Sequence, residues 1–187
     1  MTMIRTVAPT VLAVDIGLAR TSLRVDGDYL DALITMWVQG ITRKLEHAVG
    51  QRFMDQTWEV RLSAFPDGGE PIELPHPAKE VLSAKYVDPA GVDQTLPAAA
   101  FQLSLGEYAS ALIPARGATW AAAGSGVDLV ITVICGYGDT PDATPETARL
   151  YILGKLVEQF DPITRTERET VQSVYLDGLL DDLKTYA

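Results

Sequence analysis

The most constraining feature of this sequence is a long apolar stripe that ends near residue 50. Within DGDYLDALITMWVQGITRKLEHAVGQRF, apolar residues recur at spacings of three and four, which predicts one buried face of an α-helix. Asp26 or Asp28 can cap the start, and Gly50 stands where a left-handed C-terminal cap is expected. Gly40 lies inside and costs about 1 kcal/mol relative to alanine, so packing must compensate. The predicted stripe comprises Leu30, Leu33, Ile34, Trp37, Val38, Ile41, Leu45 and Val49.

Two further helices are predicted from their start signals. DIGLARTSLRV is a short helix capped by Asp15, and Thr144-Pro145-Glu146 opens a longer one over ETARLYILGKLVEQF, which ends at Asp161-Pro162. The apolar face of the longer helix consists of Ala148, Tyr151, Ile152, Leu156 and Phe160.

A last helix is predicted over ERETVQSVYLDGLLDDLKTYA, where Thr164 with Glu167 and Thr166 with Glu169 have the spacing of a capping box. An isolated helix of this length is marginal in water, so its apolar side chains must be buried on the chain's own bundle or on a partner. One face is predicted to carry Val171, Tyr175, Leu179 and Leu183, widened by Leu176 and Leu180.

The middle of the chain has the pattern of short strands. In TWEVRLSAF the apolar Trp58, Val60 and Leu62 alternate with charged residues, and EVLSAKYVD and VDQTL flank a tight DPAG turn. AFQLSL and ASALIPA are further strands, and GVDLVITVICGYG, the most apolar, is predicted to be central. The predicted fold class is α+β: one domain over 1–187, with N-terminal helices at 15–50 and C-terminal helices at 145–187 forming a small bundle. An antiparallel β module at 57–137 is inserted between them.

Composition excludes several classes of function. The 187 residues are 47% hydrophobic and 21% charged, which is typical of a globular protein with a core. No apolar run approaches the roughly 20 residues that cross a bilayer, and the N-terminus is interpreted as mature protein. The net charge of −10 argues against tight nucleic-acid binding. Cys135 is the only cysteine, which excludes an internal disulfide and a cysteine-based zinc site and fits a reducing compartment.

No motif predicts a reaction centre, a cofactor or a metal. His76 stands between two prolines, and neither it nor His47 lies in a nucleophile signature, although a hydrolase using His76 with Asp67 or Asp88 remains an alternative. Cys135 lies mid-strand, where a buried thiol acts as a small hydrophobe.

Neither glycine-rich stretch matches a phosphate-binding loop, because GSG at 124–126 lacks the following Lys-Ser/Thr and GYGD at 136–139 has no GxGxxG pattern. The acids of DGDYLD fail the calcium-loop pattern, so helix capping explains them better. Those at Asp177, Asp181 and Asp182 are interpreted as a solvated or partner-facing stripe rather than a metal site.

Four stretches together resemble the head–tail connector (adaptor or head-completion) proteins of tailed bacteriophages, prophages and gene-transfer particles. ARTSLRVDGDYLDALI is similar to the family's N-terminal helix pair, and AVGQRFMDQTWEVRLSAFPDG to its helix exit and first strand. IELPHPAKEVLSAKYVDPAGVDQTL is similar to its proline corner and hairpin, in which His76 occupies a variable position. VITVICGYGDTPDATPETARLYILGKLVEQF resembles its core strand, the Gly-Tyr-Gly and the helix that follows.

The resemblance implies a structural virion protein and not an enzyme. Such proteins assemble as a dodecameric ring beneath the portal in the virion neck, after assembly in the host cytoplasm, and extend the channel through which DNA passes without tight binding. The implied partners are the portal protein, further copies of the chain, and a tail or stopper protein; a stopper-type neck protein is itself an alternative. C-terminal segments often contact the portal in such proteins, and here that points to Tyr175, Leu176, Leu179, Leu180, Leu183 and Tyr186.

Overall fold

The computed structural model describes residues 1–120, 127–160 and 174–184. These residues divide into two compact units, each with its own core. The β unit consists of Met1–Ala8 and Asp55–Gly136, and the helical unit consists of Pro9–Met54 and the described residues from Tyr137 onward. The α+β fold class is therefore confirmed. That the whole chain acts as a single domain stays a prediction.

The helical unit contains four helices among the described residues. They are α1 (Ile16–Leu23), α2 (Asp31–Val49), α3 (Glu146–Phe160) and α4 (Val174–Leu183). Three predictions fall outside the described residues: the end of α3 at Asp161-Pro162, the burial of Val171, and both capping boxes before the last helix.

Three helix ends were predicted for α1 and α2. The start of α1 and the end of α2 are confirmed, and the start of α2 is wrong. The Asp15 carboxylate accepts from the Leu18 backbone N–H at 3.0 Å and caps α1. Gly50 ends α2 in the left-handed conformation at φ 75°. The side chains of Asp26 and Asp28 do not cap α2, because the helix begins one turn later with Leu30 in the cap position and no side-chain cap hydrogen bond.

One face of α2 is buried, as its periodicity predicts. Ile34 and Val38 are fully buried, and Leu45 and Val49 are nearly so. The prediction that Leu33 belongs to the buried face is wrong, because Leu33 is 39% exposed. Trp37 packs edge-on against Phe160 of α3, with ring centroids 6.0 Å apart. The buried core of this unit comprises Ala13, Val14, Ala19, Leu23, Ile34, Val38, Leu45, Val49, Phe53, Met54, Ala148, Ile152, Leu156 and Leu183.

The face that α4 buries differs from the predicted one. Leu176 and Leu183 are 4% and 6% exposed and Leu180 packs against the core, whereas Tyr175 is 62% exposed. The reason is the approach of α4 to Gly154 of α3, where a Cβ atom would lie 2.6 Å from a Leu176 methyl group. That approach turns the row of Leu176, Leu180 and Leu183 inward.

The β unit contains two antiparallel sheets among the described residues. The larger sheet has the order β1-β2-β8-β4-β5 and the smaller has the order β3-β7-β6. The strands are β1 (Thr2–Val7), β2 (Gln56–Ala64), β3 (Ile72–Leu74), β4 (Ala78–Val87), β5 (Asp93–Thr95), β6 (Phe101–Leu105), β7 (Ser110–Pro114) and β8 (Val127–Cys135).

Strand β8 lies at the centre of the larger sheet, as its apolar sequence predicts. It pairs with β2, where Val60 faces Ile131, and with β4, where Ala84 faces Ile131. Its buried face carries Leu129, Ile131, Val133 and Cys135. The N-terminal edge strand β1 was not predicted; it pairs with β2, with Met3 opposite Val60.

The two sheets share one apolar core. Phe65 lies between Tyr86 and Trp120, with ring centroids 5.3 Å and 5.9 Å away. The Trp120 indole N–H donates to the Glu70 carbonyl at 2.9 Å, so the large ring is buried without leaving its polar atom unpaired. The core comprises Val60, Phe65, Ile72, Leu74, Ala78, Ala84, Leu96, Leu112, Trp120, Leu129, Ile131 and Val133.

Candidate assembly surfaces and buried polar clusters

His76 is a buried member of a hydrogen-bonded corner in the β unit. It is 8% exposed, at a cis peptide bond to Pro77, and its Nδ1 lies 3.0 Å from the Ser110 Oγ. The same Oγ accepts from the Ala78 backbone N–H at 3.0 Å. His76 also forms a hydrogen bond with the Glu107 backbone. A hydroxyl oxygen has two lone pairs and one proton, so the Ser110 Oγ can accept from Ala78 and also bond His76 Nδ1, and these bonds join the start of β4 and the turn before it to β7.

Burial lowers the pKa of His76 below its ordinary value, and the bond to the Glu107 carbonyl opposes this more weakly. The lowered pKa favours the neutral imidazole, in which one ring nitrogen carries a proton and the other can accept a hydrogen bond. A serine and a histidine in contact are thus held as a structural pair. Ser110 is 3% exposed and His76 8% exposed, so both side chains lie inside the β unit, away from solvent.

The acids considered as partners for His76 lie elsewhere. The Asp88 carboxylate accepts from the backbone N–H groups of Ala90 and Val92 and from the Gln94 side chain, all within 3.0 Å. These bonds, the one from Val92 foremost, lower the Asp88 pKa and make the residue an anchor of the β4–β5 turn. Asp67 lies in the exposed turn after β2. The described hydrogen bonds and ion pairs join neither acid to His76.

The cysteine, the possible metal ligands and the glycine-rich stretches were the other candidates for a reactive site. Cys135 is fully buried in β8, with its Sγ 3.7 Å from the Gln56 carbonyl oxygen. Within the described ranges, no group of three or more His, Cys, Asp or Glu side chains could hold a metal ion. A Cβ on Gly138 would lie 2.5 Å from the Ala143 side chain, so the Gly-Tyr-Gly stretch needs its second glycine for packing. The GSG stretch at 124–126 lies outside the described residues.

Helix α4 is fastened to the rest of the helical unit by polar contacts as well as by leucines. The buried Gln51 side chain donates to the Leu183 carbonyl at 3.0 Å and accepts from the Tyr137 hydroxyl at 2.8 Å. Burial raises the pKa of Tyr137, which keeps that hydroxyl a donor. One residue before Leu183, the Asp182 carboxylate accepts from the Thr147 hydroxyl of α3 at 3.3 Å. The helix is therefore a fixed part of the unit rather than a loose tail.

The six predicted contact residues separate into three groups. Leu176 and Leu183 are buried and Leu180 packs on the same core, so these three hold α4 in place. Tyr175 is largely exposed and Leu179 is partly exposed on the adjacent row. Tyr186 lies outside the described residues.

A surface that the sequence reading did not single out runs along α2. We call it the α2 outer row: Tyr29, Leu33, Met36, Gly40, Arg43 and His47, all exposed. Tyr29 is 74% exposed and Met36 67%. From Leu33 onward, spacings of three, four, three and four place these residues on one helix face, and Tyr29 precedes the helix by two residues. The sequence does not single out this row, because the buried stripe on the other side has more large apolar residues.

A groove of about 350 Å³ lies between α2 and α3, beside this row. Gly40 and Lys44 line one wall, and Tyr151 and Lys155 line the other. The Lys155 ammonium pairs with Glu158 at 2.9 Å and lies 5.8 Å from the centre of the Tyr151 ring, so it is held against the groove wall.

No helix among the described residues is both long and apolar enough to span a bilayer. No family model matches the chain. No curated protein matches it either.

Three solved structures share the fold along the whole chain. The neck of an empty gene transfer agent particle, computed with C6 symmetry, contains a chain with a TM-score of 0.80 and 20% identity. The virion of a native gene transfer agent particle gives 0.80 and 19%, and the neck of a native particle computed with C12 symmetry gives 0.76 and 20%. In each case the match covers 100% of this chain and 97% of the other. The chain therefore has the fold of a component of a phage-like neck, and the resemblance to connector proteins is confirmed at the level of the fold.

Proposed function

We propose that this protein is a structural component of a virion neck that forms a ring between portal and tail, completes the head and extends the DNA channel. The observation that carries the proposal is the end-to-end match to chains in gene transfer agent necks, two of them computed with C6 and C12 symmetry. A dodecameric ring is the corresponding assembly. The partners are the portal protein, other copies of this chain, and a tail or stopper protein, and assembly takes place in the host cytoplasm.

The distribution of polar groups supports a structural role. The buried histidine, serine and glutamine described above bind neighbouring backbone or side-chain groups, and Asp88 binds its own turn. Buried polar groups with satisfied hydrogen bonds fix a fold, whereas a reaction centre needs groups directed at a substrate. On this proposal the protein is not an enzyme and needs no cofactor.

The acidic charge supports a place around a DNA channel. Each copy carries −10, and a ring multiplies that charge around its axis. A lumen lined by acids repels the phosphates of the DNA, so the duplex slides instead of binding.

For the contact with the portal, the proposal uses the outward row of α4. Tyr175 and Leu179 present an aromatic and an aliphatic side chain there, and Tyr186 follows in the sequence. Leu176, Leu180 and Leu183 support this surface from beneath. Because α4 is fixed by its own core contacts, the surface is already formed before binding, which reduces the entropy lost on docking.

The test is binding of the full-length protein to the portal protein of its own particle, measured by cosedimentation. We expect the double variant Tyr175→Asp with Leu179→Asp to lose binding at least tenfold while melting like the wild type. Leu105→Asp is the matched control, because Leu105 is also 62% exposed but lies in the β unit. Absence of portal binding by the wild type, with binding instead to an assembled adaptor ring, would show a stopper-type protein and contradict the proposal.

A further inference from the structure

We propose that neighbouring copies in the ring contact each other through the α2 outer row of one copy and the exposed face of α3 in the next. This inference rests on the proposed ring, and it names the two surfaces that close it. We call the second surface the α3 outer row: Glu146, Leu150 and Val157, at spacings of four and seven on one helix face. Leu150 is 48% exposed and Val157 is 38% exposed.

Gly40 is the first reason to place a partner on the α2 outer row. A mid-helix glycine destabilises a helix, so it usually persists where something approaches closely. Gly154 of α3 has such a reason inside the chain, in the Leu176 methyl group that leaves no room for a Cβ. Among the described residues, a Cβ on Gly40 would meet nothing within 4 Å. The packing of the described residues therefore does not explain Gly40, but a second helix approaching from outside would.

The two rows match when the helices run antiparallel. From Leu33 to Arg43 the α2 outer row rises about 15 Å, and from Glu146 to Val157 the α3 outer row rises about 16 Å. When Arg43 is placed beside Glu146, Leu33 falls beside Val157. In the same alignment Leu150 falls opposite Gly40, where the missing side chain admits it.

Charge fixes this direction of packing. The C-terminal half of the α2 outer row is basic, with Arg43, His47 and the adjacent Lys44. The N-terminal end of α3 is acidic, with the side chains of Asp142 and Glu146 93% and 89% exposed although both pair with Arg149. Antiparallel packing brings the basic end to the acidic end, whereas parallel packing would bring the acids to Tyr29 and Leu33. This local attraction opposes the repulsion between copies of a strongly acidic chain.

The use of two different surfaces is what a ring requires. A contact between two distinct patches is heterologous and repeats around a rotation axis, whereas a patch that binds itself stops at a dimer. The contact of α2 with α3 inside one copy uses other side chains, among them Trp37 and Phe160. Both outer rows remain exposed for neighbours.

The experiment is crosslinking of the full-length protein bound to its portal, after introducing thiols by Leu33→Cys together with Val157→Cys. Cys135 is fully buried and serves as the internal background. The expected result is a ladder of covalent multimers that needs both substitutions. A mixture of the two single variants should give dimers and no ladder. The control pair, Leu33→Cys with Leu105→Cys, should give no ladder because Leu105 is exposed but lies in the β unit.

The outcomes separate this inference from the proposed function. Many copies on the portal without a ladder from the Leu33–Val157 pair overturn the inference and leave the ring intact. A ladder from the control pair assigns the contact to the β unit and also overturns it. If few or no copies assemble on the portal, the inference and the proposed function both fail.

Exchanging the charges of Arg43 and Glu146 tests the same contact between neighbouring copies independently. Arg43→Glu should weaken assembly on the portal at least fivefold, and adding Glu146→Arg in the same chain should restore it. Adding Asp181→Arg instead should not, because that acid lies on α4. Failure of the Glu146 exchange to restore assembly would contradict the antiparallel alignment.

Discussion

The β unit and the helical unit differ in how their exposed apolar side chains are arranged. In the β unit such residues are scattered, with Ile4, Leu82, Leu105 and Tyr108 on separate strands and turns. In the helical unit some of them are aligned, as Leu33 and Met36 are beside Gly40 on α2. Isolated exposed apolar residues are normal, whereas aligned ones indicate a contact surface. The comparison supports the proposal that neighbouring copies contact the helical unit rather than the β unit.

The largest expected effect comes from two positions on α2 that are two residues apart. Val38→Asp places an unpaired charge in the core of the helical unit, where Val38 is fully buried, and should cost about 4 kcal/mol or more. Met36→Asp should change the free energy of unfolding by less than about 0.5 kcal/mol, because that side chain is in water. Chemical denaturation of both variants checks this. A folded, cooperatively melting Val38→Asp would show that the buried face of α2 is misassigned.

The next effect tests the buried polar corner of the β unit. Ser110→Ala leaves the Ala78 N–H and the His76 Nδ1 without their partner and should lower the free energy of unfolding by about 1–3 kcal/mol. Ser104→Ala on the exposed side of β6 is the control and should be nearly neutral. Equal unfolding free energies for the two variants would show that the hydrogen bonds of Ser110 do not stabilise the β unit.

A smaller effect distinguishes the two helix glycines. Gly40→Ala should stabilise the isolated protein by up to about 1 kcal/mol, because alanine favours the helix and its methyl group would contact none of the residues that the structure describes. Gly154→Ala should give no such gain, because Leu176 must shift to admit the methyl group. Thermal melting of the pair provides the measurement. A stabilising Gly154→Ala would mean that α4 does not pack closely on α3.

The smallest effect is a pH dependence that belongs to the β unit alone. Because the folded-state pKa of His76 is lowered, the unfolded chain takes up the proton first as the pH falls below about 6.5. His76 therefore contributes stability above that pH, and the contribution is lost progressively towards its folded-state pKa. The free energy of unfolding of His76→Gln should vary less between about pH 7.5 and pH 5.5 than that of the wild type. Parallel pH profiles would show that His76 has an ordinary pKa in the folded protein.

The sequence predicted those features that depend on local periodicity and local caps. The buried face of α2, its glycine cap and the Asp15 cap each follow from residues within a few positions of one another. The central position of β8 followed from apolar residues on both of its faces. The order of these elements was also enough to indicate the connector fold.

Features that depend on distant partners could not be predicted in the same way. In α4 two adjacent rows are both apolar, and only the approach of Leu176 to Gly154 decides which row is buried. Strand β1 pairs with residues fifty or more positions away, and its Thr and Arg residues give it little apolar alternation. The contact of His76 with Ser110 spans 34 positions. In each case the feature depends on a tertiary contact that the local sequence pattern does not contain.

The most direct measurement of the central claim is electron microscopy of the full-length protein mixed with the portal of its own particle. The account predicts a closed ring of this chain stacked coaxially on the portal, with its helical units in lateral contact and an open channel along the axis. Portal particles that carry no ring under conditions where both proteins are folded would contradict it.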